Sequence, residues 1–148
     1  MRVYLDVCSL NRPFDDQTQD RVRLEAEAVV LILSHFEAKD WQWIGSEAVD
    51  LEIAQTPDKE RQNRVQLLTT HVHEFVHIES GEIARAQELE KLGFHTIDAL
   101  HLACAESGVA DVFLTTDDRF LRVAARTSEN LRIHVANPLA WLAKVAEK

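Results

Sequence analysis

Short apolar runs alternate with segments of helical period along the whole chain, and no other feature restricts the fold as much. "VYLDV", "WQWIG", "HEFVHI", "DVFLTT" and "RIHVA" read as strands. Between the first two, "DRVRLEAEAVVLILSHFEA" reads as a long helix with Leu24, Ala28, Leu31 and Ile32 at helical spacing. Ser46 is placed to cap a helix through "EAVDLEIAQ", and Thr56 with Pro57 to open another through Leu68. "GEIARAQELEKL" is a helix stopped by Gly93, and Thr96 caps "IDALHLACAES", which Gly108 closes. "DRFLRVAAR" follows the fourth strand, and Asn137-Pro138 starts a last helix. Strands and helices alternating through the whole chain predict an α/β sandwich around a largely parallel central sheet. Ligand sites in such sheets lie beyond the C-terminal ends of the strands.

The 148 residues, 46% of them hydrophobic, are enough for one core, and with four glycines, three prolines and no repeat the expectation is a single domain over residues 1–148. No stretch approaches the roughly 20 apolar residues of a membrane span, so a soluble, cytoplasmic protein is expected. Cys8 and Cys104 are too few for a disulfide framework and are read as structural thiols. A formal charge of −9 argues against coating nucleic acid through the net field. An excess of acid also fits carboxylates that converge on cations, which a residue count omits.

Four carboxylates stand where a solvated surface does not explain them. Asp6 ends the first apolar strand, and Asp117 follows the fourth in the same way. A lone aspartate there is usually a turn former or cap, but the repetition at equivalent positions points both into one crevice. Asp98 lies in the first turn of a helix that is apolar nearly all round, where the positive helix end favours its ionised form. His101, three residues on, shares its face and is read as a hydrogen-bonded core histidine. Glu52 falls between Ala48 and Val49 inside the apolar arc of its helix, whereas Glu47 and Asp50 fall on a solvated face. Four such charges in a low-dielectric cleft repel by several kcal/mol unless protons or cations intervene. An all-oxygen set suits Mg²⁺ or Mn²⁺, ions that activate water and neutralise charge on a phosphodiester.

"VYLDVCSLN", "SEAVDLEI", "TIDALHLACAE" and "VFLTTDDRFL", in that order and spacing, resemble the PIN-domain family, which includes bacterial VapC-type toxins. The resemblance implies a PIN-like three-layer α/β/α sandwich and a metal-dependent ribonuclease with Asp6, Glu52, Asp98 and Asp117 as metal-binding catalytic residues. It also implies an RNA substrate, a cognate antitoxin partner and a homodimer, and gives Thr115 a supporting hydrogen bond. Asp118 is either an extra ligand or water-holder, or a cap of the next helix. The family's small hydroxyl or amide residue two places after the first aspartate is here Cys8, so Ser9 or Asn11 is expected to take over its role. Asn11 reads equally well as a turn residue.

Arg119, Arg122 and Arg126 recur at helical spacing after Asp117, either as an RNA-backbone stripe or as a solvated face. "HVHEFVH" puts His71, His73 and His77 on one face of an extended segment, an edge-strand surface in preference to a zinc site. Trp41 and Trp43 are expected to pack against a helix and not to stack bases. A first-strand aspartate is also the nucleophile of haloacid-dehalogenase-like phosphatases, but those need a second aspartate where this chain has Cys8. A non-catalytic RNA- or protein-binding module is the alternative of another class, and it has no use for four converging acids.

Overall fold

The computed structural model describes residues 1–146. Strand β1 (Arg2–Leu5) passes into a short helix α1 (Val7–Asn11), a 3₁₀ turn (Arg12–Phe14) and the long helix α2 (Asp20–Glu37). Then come β2 (Gln42–Ser46), α3 (Glu47–Ala54), α4 (Lys59–Thr69), β3 (Glu74–Val76), α5 (Ser80–Lys91) and α6 (Thr96–Ser107). The chain continues through β4 (Val112–Leu114), α7 (Asp118–Arg126), a 3₁₀ turn (Ser128–Asn130), β5 (His134–Ala136) and α8 (Pro138–Ala146).

The strands form a five-stranded sheet in the order β3-β2-β1-β4-β5, with every neighbouring pair parallel. The sheet is flanked by helices, as the alternation predicts. Helix α8 returns onto α2, and α5 packs on α6. Because β1 and β4 are covered on both faces, Val3, Tyr4, Leu5, Val112, Phe113 and Leu114 are all buried, which is why these strands read as unbroken apolar runs. Strand order reverses at β1, so the crevice between the C-terminal ends of β1 and β4 is the switch point of the sheet.

Three local expectations are corrected. Helix α2 buries Glu25, Ala26, Ala28, Val29, Ile32 and Phe36, while Leu24 and Leu31 remain 43% and 53% exposed. Apolar residues surround this helix almost completely, so the pattern alone does not say which arc meets the sheet. The arc is set by Glu25, whose buried carboxylate pairs with Arg12 at 2.8 Å and accepts from Asn137 Nδ2 at 2.5 Å. The cap of α4 is Asp58, not Thr56: its Oδ1 accepts from the amides of Glu60 at 3.0 Å and Arg61 at 3.3 Å, while the Thr56 amide still closes the end of α3. Likewise His95 holds the cap position of α6, and Thr96 is its first helical residue. Ser46 caps α3 as expected, and Asn137 Oδ1 accepts from the Leu139 amide to start α8. Asp58→Ala is therefore expected to cost about 1 kcal/mol in urea unfolding, and Thr56→Ala much less. The reverse order of effects would return the cap to Thr56.

Trp43 stacks on Phe36 with ring centres 5.1 Å apart, and Trp41 packs on His35 and Trp141, so both indoles serve helix packing. The histidines do not gather: His73 Nδ1 accepts from the Trp43 amide at 2.9 Å, and His77 lies 3.3 Å from Glu47 at the exposed edge strand. Glu47 also accepts from the Ile78 amide at 2.8 Å, so it ties α3 to the chain after β3. No helix among the described residues is long and apolar enough to cross a membrane.

Candidate active site

Strand β1 ends in Asp6 because the chain turns there into α1. The Asp6 amide makes a last bond to the Leu114 carbonyl of β4 at 3.2 Å, and its Oδ1 accepts from the Ser9 amide at 2.9 Å as the cap of α1. Asp117 is the cap of α7 in the same manner, with Oδ1 accepting from the Arg119 amide at 2.9 Å and the Phe120 amide at 3.3 Å. Its own amide donates to Thr115 Oγ1 at 3.1 Å, and Thr115 is fully buried. Two adjacent parallel strands thus deliver two aspartates to one end of the sheet. Asp98 joins them from the first turn of α6, and Glu52 from the last turn of α3.

Burial is the main reason that the Asp6 carboxyl is pushed up to about 6; bonds from Thr115 and Ser9 pull it down, and the Glu52 charge pushes it further up. Asp98 is also raised, chiefly by burial and then by Asp117 and Glu52 against the opposing pull of His101. Cys8 stands among them: burial raises its thiol far above the ordinary range, and Asp6, Glu52, Asp117 and Asp98 all add to the shift. The residue that departs from the family pattern is therefore a neutral thiol in the field of all four acids. Among the described residues, no lysine or arginine forms an ion pair with any of the four.

Glu52 is held by a bond that its sequence position does not reveal. His101 Nε2 lies 2.7 Å from Glu52 Oε1, and His101 Nδ1 lies 2.7 Å from the Tyr4 hydroxyl, which itself meets Ser46 Oγ at 2.7 Å. His101 is the hydrogen-bonded core histidine expected, but its second bond reaches the acid cluster. The only sequence signal was its shared face with Asp98.

The remaining candidates are placed as follows. Ser9 is buried and its hydroxyl donates to the Leu114 carbonyl at 3.1 Å, so it braces β4 and offers Asp6 its amide. Asn11 donates from Nδ2 to the Val7 carbonyl at 3.1 Å, while its Oδ1 is buried without a partner among the described residues. With Val7, Glu52, Gln55, Thr56 and Arg61, Asn11 lines an open cleft of about 550 Å³ beside the acids. Asp118 turns away from the cluster and pairs with Arg21 through both oxygens, at 2.8 and 2.7 Å. That pair begins a run of alternating charges through Arg21, Glu25, Arg12, Asp15 and Arg61, which ties α7, α2, the first 3₁₀ turn and α4 together. Arg119 donates to the Gly93 carbonyl at 3.0 Å, and Arg126 lies against the same glycine, whose φ of +117° makes the sharp turn after α5. Arg122 is exposed and adds to the field that lowers Asp118.

The donor set of the four acids is all oxygen, partly desolvated and without a lysine or arginine partner among the described residues, and this chemistry fits a hard divalent cation. As the side chains stand, Asp6, Asp117 and Glu52 each spend an oxygen on an internal bond. Among the described residues, no three Asp, Glu, His or Cys side chains form a group placed to hold a metal ion.

A parallel five-stranded sheet ordered 3-2-1-4-5, with Asp6 and Asp117 just after its two adjacent inner strands, defines an α/β protein. The chain matches the PIN domain over residues 4–126, and it belongs to that family. No curated protein sequence matches it. Among solved structures it resembles VapBC2 from Rickettsia felis bound to a DNA fragment from their promoter, with TM-score 0.61, 16% identity, and 93% of this chain and 98% of that one covered. VapBC-1 from nontypeable Haemophilus influenzae gives TM-score 0.58 at 14% identity, again covering 93% of this chain and 98% of that one. At such identities the likeness establishes the fold.

Proposed function

We propose that this PIN-domain protein is a cytoplasmic metal-dependent endoribonuclease, with Asp6, Glu52, Asp98 and Asp117 holding Mg²⁺ or Mn²⁺. The observation that carries this reading is that Asp6, Glu52, Asp98 and Asp117 come from four separate elements to the C-terminal end of the sheet around Cys8, with no lysine or arginine partner among the described residues. The bound ion supplies Lewis acidity toward water and the scissile phosphodiester. The chain's own residues supply position. Thr115 and the Ser9 amide orient Asp6, and the first turn of α7 fixes Asp117. The unpartnered Oδ1 of Asn11 accepts a hydrogen from the attacking water, the role that Cys8 leaves open. Arg122, with Arg119 and Arg126 beside it on α7, contacts the RNA backbone. The fold shared with the two VapBC structures supports a toxin half of a toxin–antitoxin pair, restrained by an antitoxin protein; the assembly proposed for it is a homodimer.

The test is cleavage of end-labelled RNA by the purified protein in Mn²⁺ and in EDTA, beside calorimetry with Mn²⁺ alone. Cleavage is expected only with the metal, and Mn²⁺ is expected to bind at millimolar concentration or below. Cleavage that survives chelation would remove the metal from the reaction. RNA binding without any cleavage would make the protein a binding module.

A further inference from the structure

Four side chains from Ser46 to Glu52 are linked end to end by hydrogen bonds, and one direction of donation satisfies every link. With Glu52 Oε1 as the acceptor, His101 Nε2 carries the hydrogen of their 2.7 Å bond. In that tautomer Nδ1 is an acceptor, and the Tyr4 hydroxyl donates to it at 2.7 Å. Ser46 Oγ accepts from the Val49 amide at 3.4 Å and gives its own hydrogen to Tyr4 at 2.7 Å. Each link passes one hydrogen toward Glu52, and the chain ends on Oε1, leaving Oε2 without a partner among the described residues.

The members come from β1, β2, α3 and α6, the elements that meet above the centre of the sheet. Tyr4, Ser46 and His101 are each 1% exposed or less, and the imidazole is wedged edge-on to Tyr4 and Phe113, with ring centres 5.8 and 6.4 Å away. A glutamate has three side-chain torsions to restrict, and this one is gripped by a ring that cannot turn. We propose that His101 is a positioning residue for Glu52, holding one carboxylate oxygen so that the other faces the acid cluster, and that Tyr4 acts through it by fixing the imidazole tautomer. This rests on the nuclease reading, because the positioning matters to a cation that Glu52 helps to hold. Partners of this outer kind tune a ligand's orientation and basicity.

Two measurements on the full chain test it: ¹⁵N NMR of His101 at neutral pH without metal, and the dissociation constant for Mn²⁺. The parent is expected to show the Nε2–H tautomer, and Tyr4→Phe a mixture of tautomers. Mn²⁺ affinity is expected to fall about tenfold in His101→Leu, less in Tyr4→Phe, and least in His101→Gln, whose amide can still donate to Glu52. If His101→Leu does not fold, Tyr4→Phe keeps the ring and carries the comparison. An Nδ1–H tautomer in the parent, or parental Mn²⁺ affinity in every folded variant, overturns the inference. A parent that binds no Mn²⁺ overturns the nuclease reading instead, while the tautomer still decides the direction of the chain.

Discussion

Asp6→Asn is expected to abolish Mn²⁺ binding and RNA cleavage while leaving the metal-free protein at least as stable as the parent at pH 7.5. The carboxyl is buried, and its value of about 6 in the fold lies above the ordinary aspartate value. For an acid raised in this way, the favourable contribution is complete below the unfolded value near pH 4. It is lost as the pH rises through about 6. At pH 7.5 the charged group therefore opposes folding, by about 3 kcal/mol for a rise of roughly two units. Asparagine removes that charge and still offers an oxygen to the Ser9 amide, so little capping energy is lost. The advantage of the variant is expected at pH 7.5 in EDTA and absent below pH 4, where the parent's carboxyl is itself neutral. Mn²⁺ should raise the melting temperature of the parent alone, since a ligand stabilises only the state that binds it. A variant that melts lower than the parent at pH 7.5 and still cleaves RNA with Mn²⁺ would show Asp6 to be a capping residue and nothing more.

Arg12→Met is expected to destabilise the protein by about 3 kcal/mol in urea unfolding, the range for removing one partner of a buried ion pair. Arg12 is only 21% exposed and Glu25 2%, so the glutamate left behind cannot recover its hydration. Arg21, which is 51% exposed, and Asn137 remain as its partners and keep the loss from being larger. The double variant Arg12→Met with Glu25→Leu is expected to recover most of the difference, because no orphaned charge remains in the interior. Added salt should change the single-variant loss little, since the pair is sheltered from solvent. A loss within about 0.5 kcal/mol would place the pair with ordinary surface ion pairs.

How much of this was legible depended on how far each residue's environment is set by its neighbours in sequence. Strands β1 and β4 were legible because burial on both faces leaves no polar alternation, and α7 because Asp117 and the basic Arg126 of its last turn mark its ends. Asp6 and Asp117 stood out because two strands ended in the same way. The face of α2 was not legible, since it depends on an ion pair with a residue outside the helix and on a distant asparagine. The grip on Glu52 was hidden for the same reason: His101 lies 49 residues away and Tyr4 a further 97 back from His101. Asp118 offered two roles in sequence, and its pairing with Arg21 is neither of them. Choosing between Thr56 and Asp58 as a cap needed the backbone path, which composition does not contain.

The parallel register of β1 and β4 also has a consequence for synthesis. Ser9 reaches 105 residues forward to the Leu114 carbonyl, and Asp6 finds Thr115 only when the fourth strand is in place. At translation rates of about 5–20 residues per second, a ribosome has most of the chain still to make when Asp6 emerges. Until β4 and α7 have left the exit tunnel, the acids borne by the nascent chain have no common address. Whatever chemistry this end of the sheet performs is withheld from an unfinished polypeptide by the order in which its strands are made.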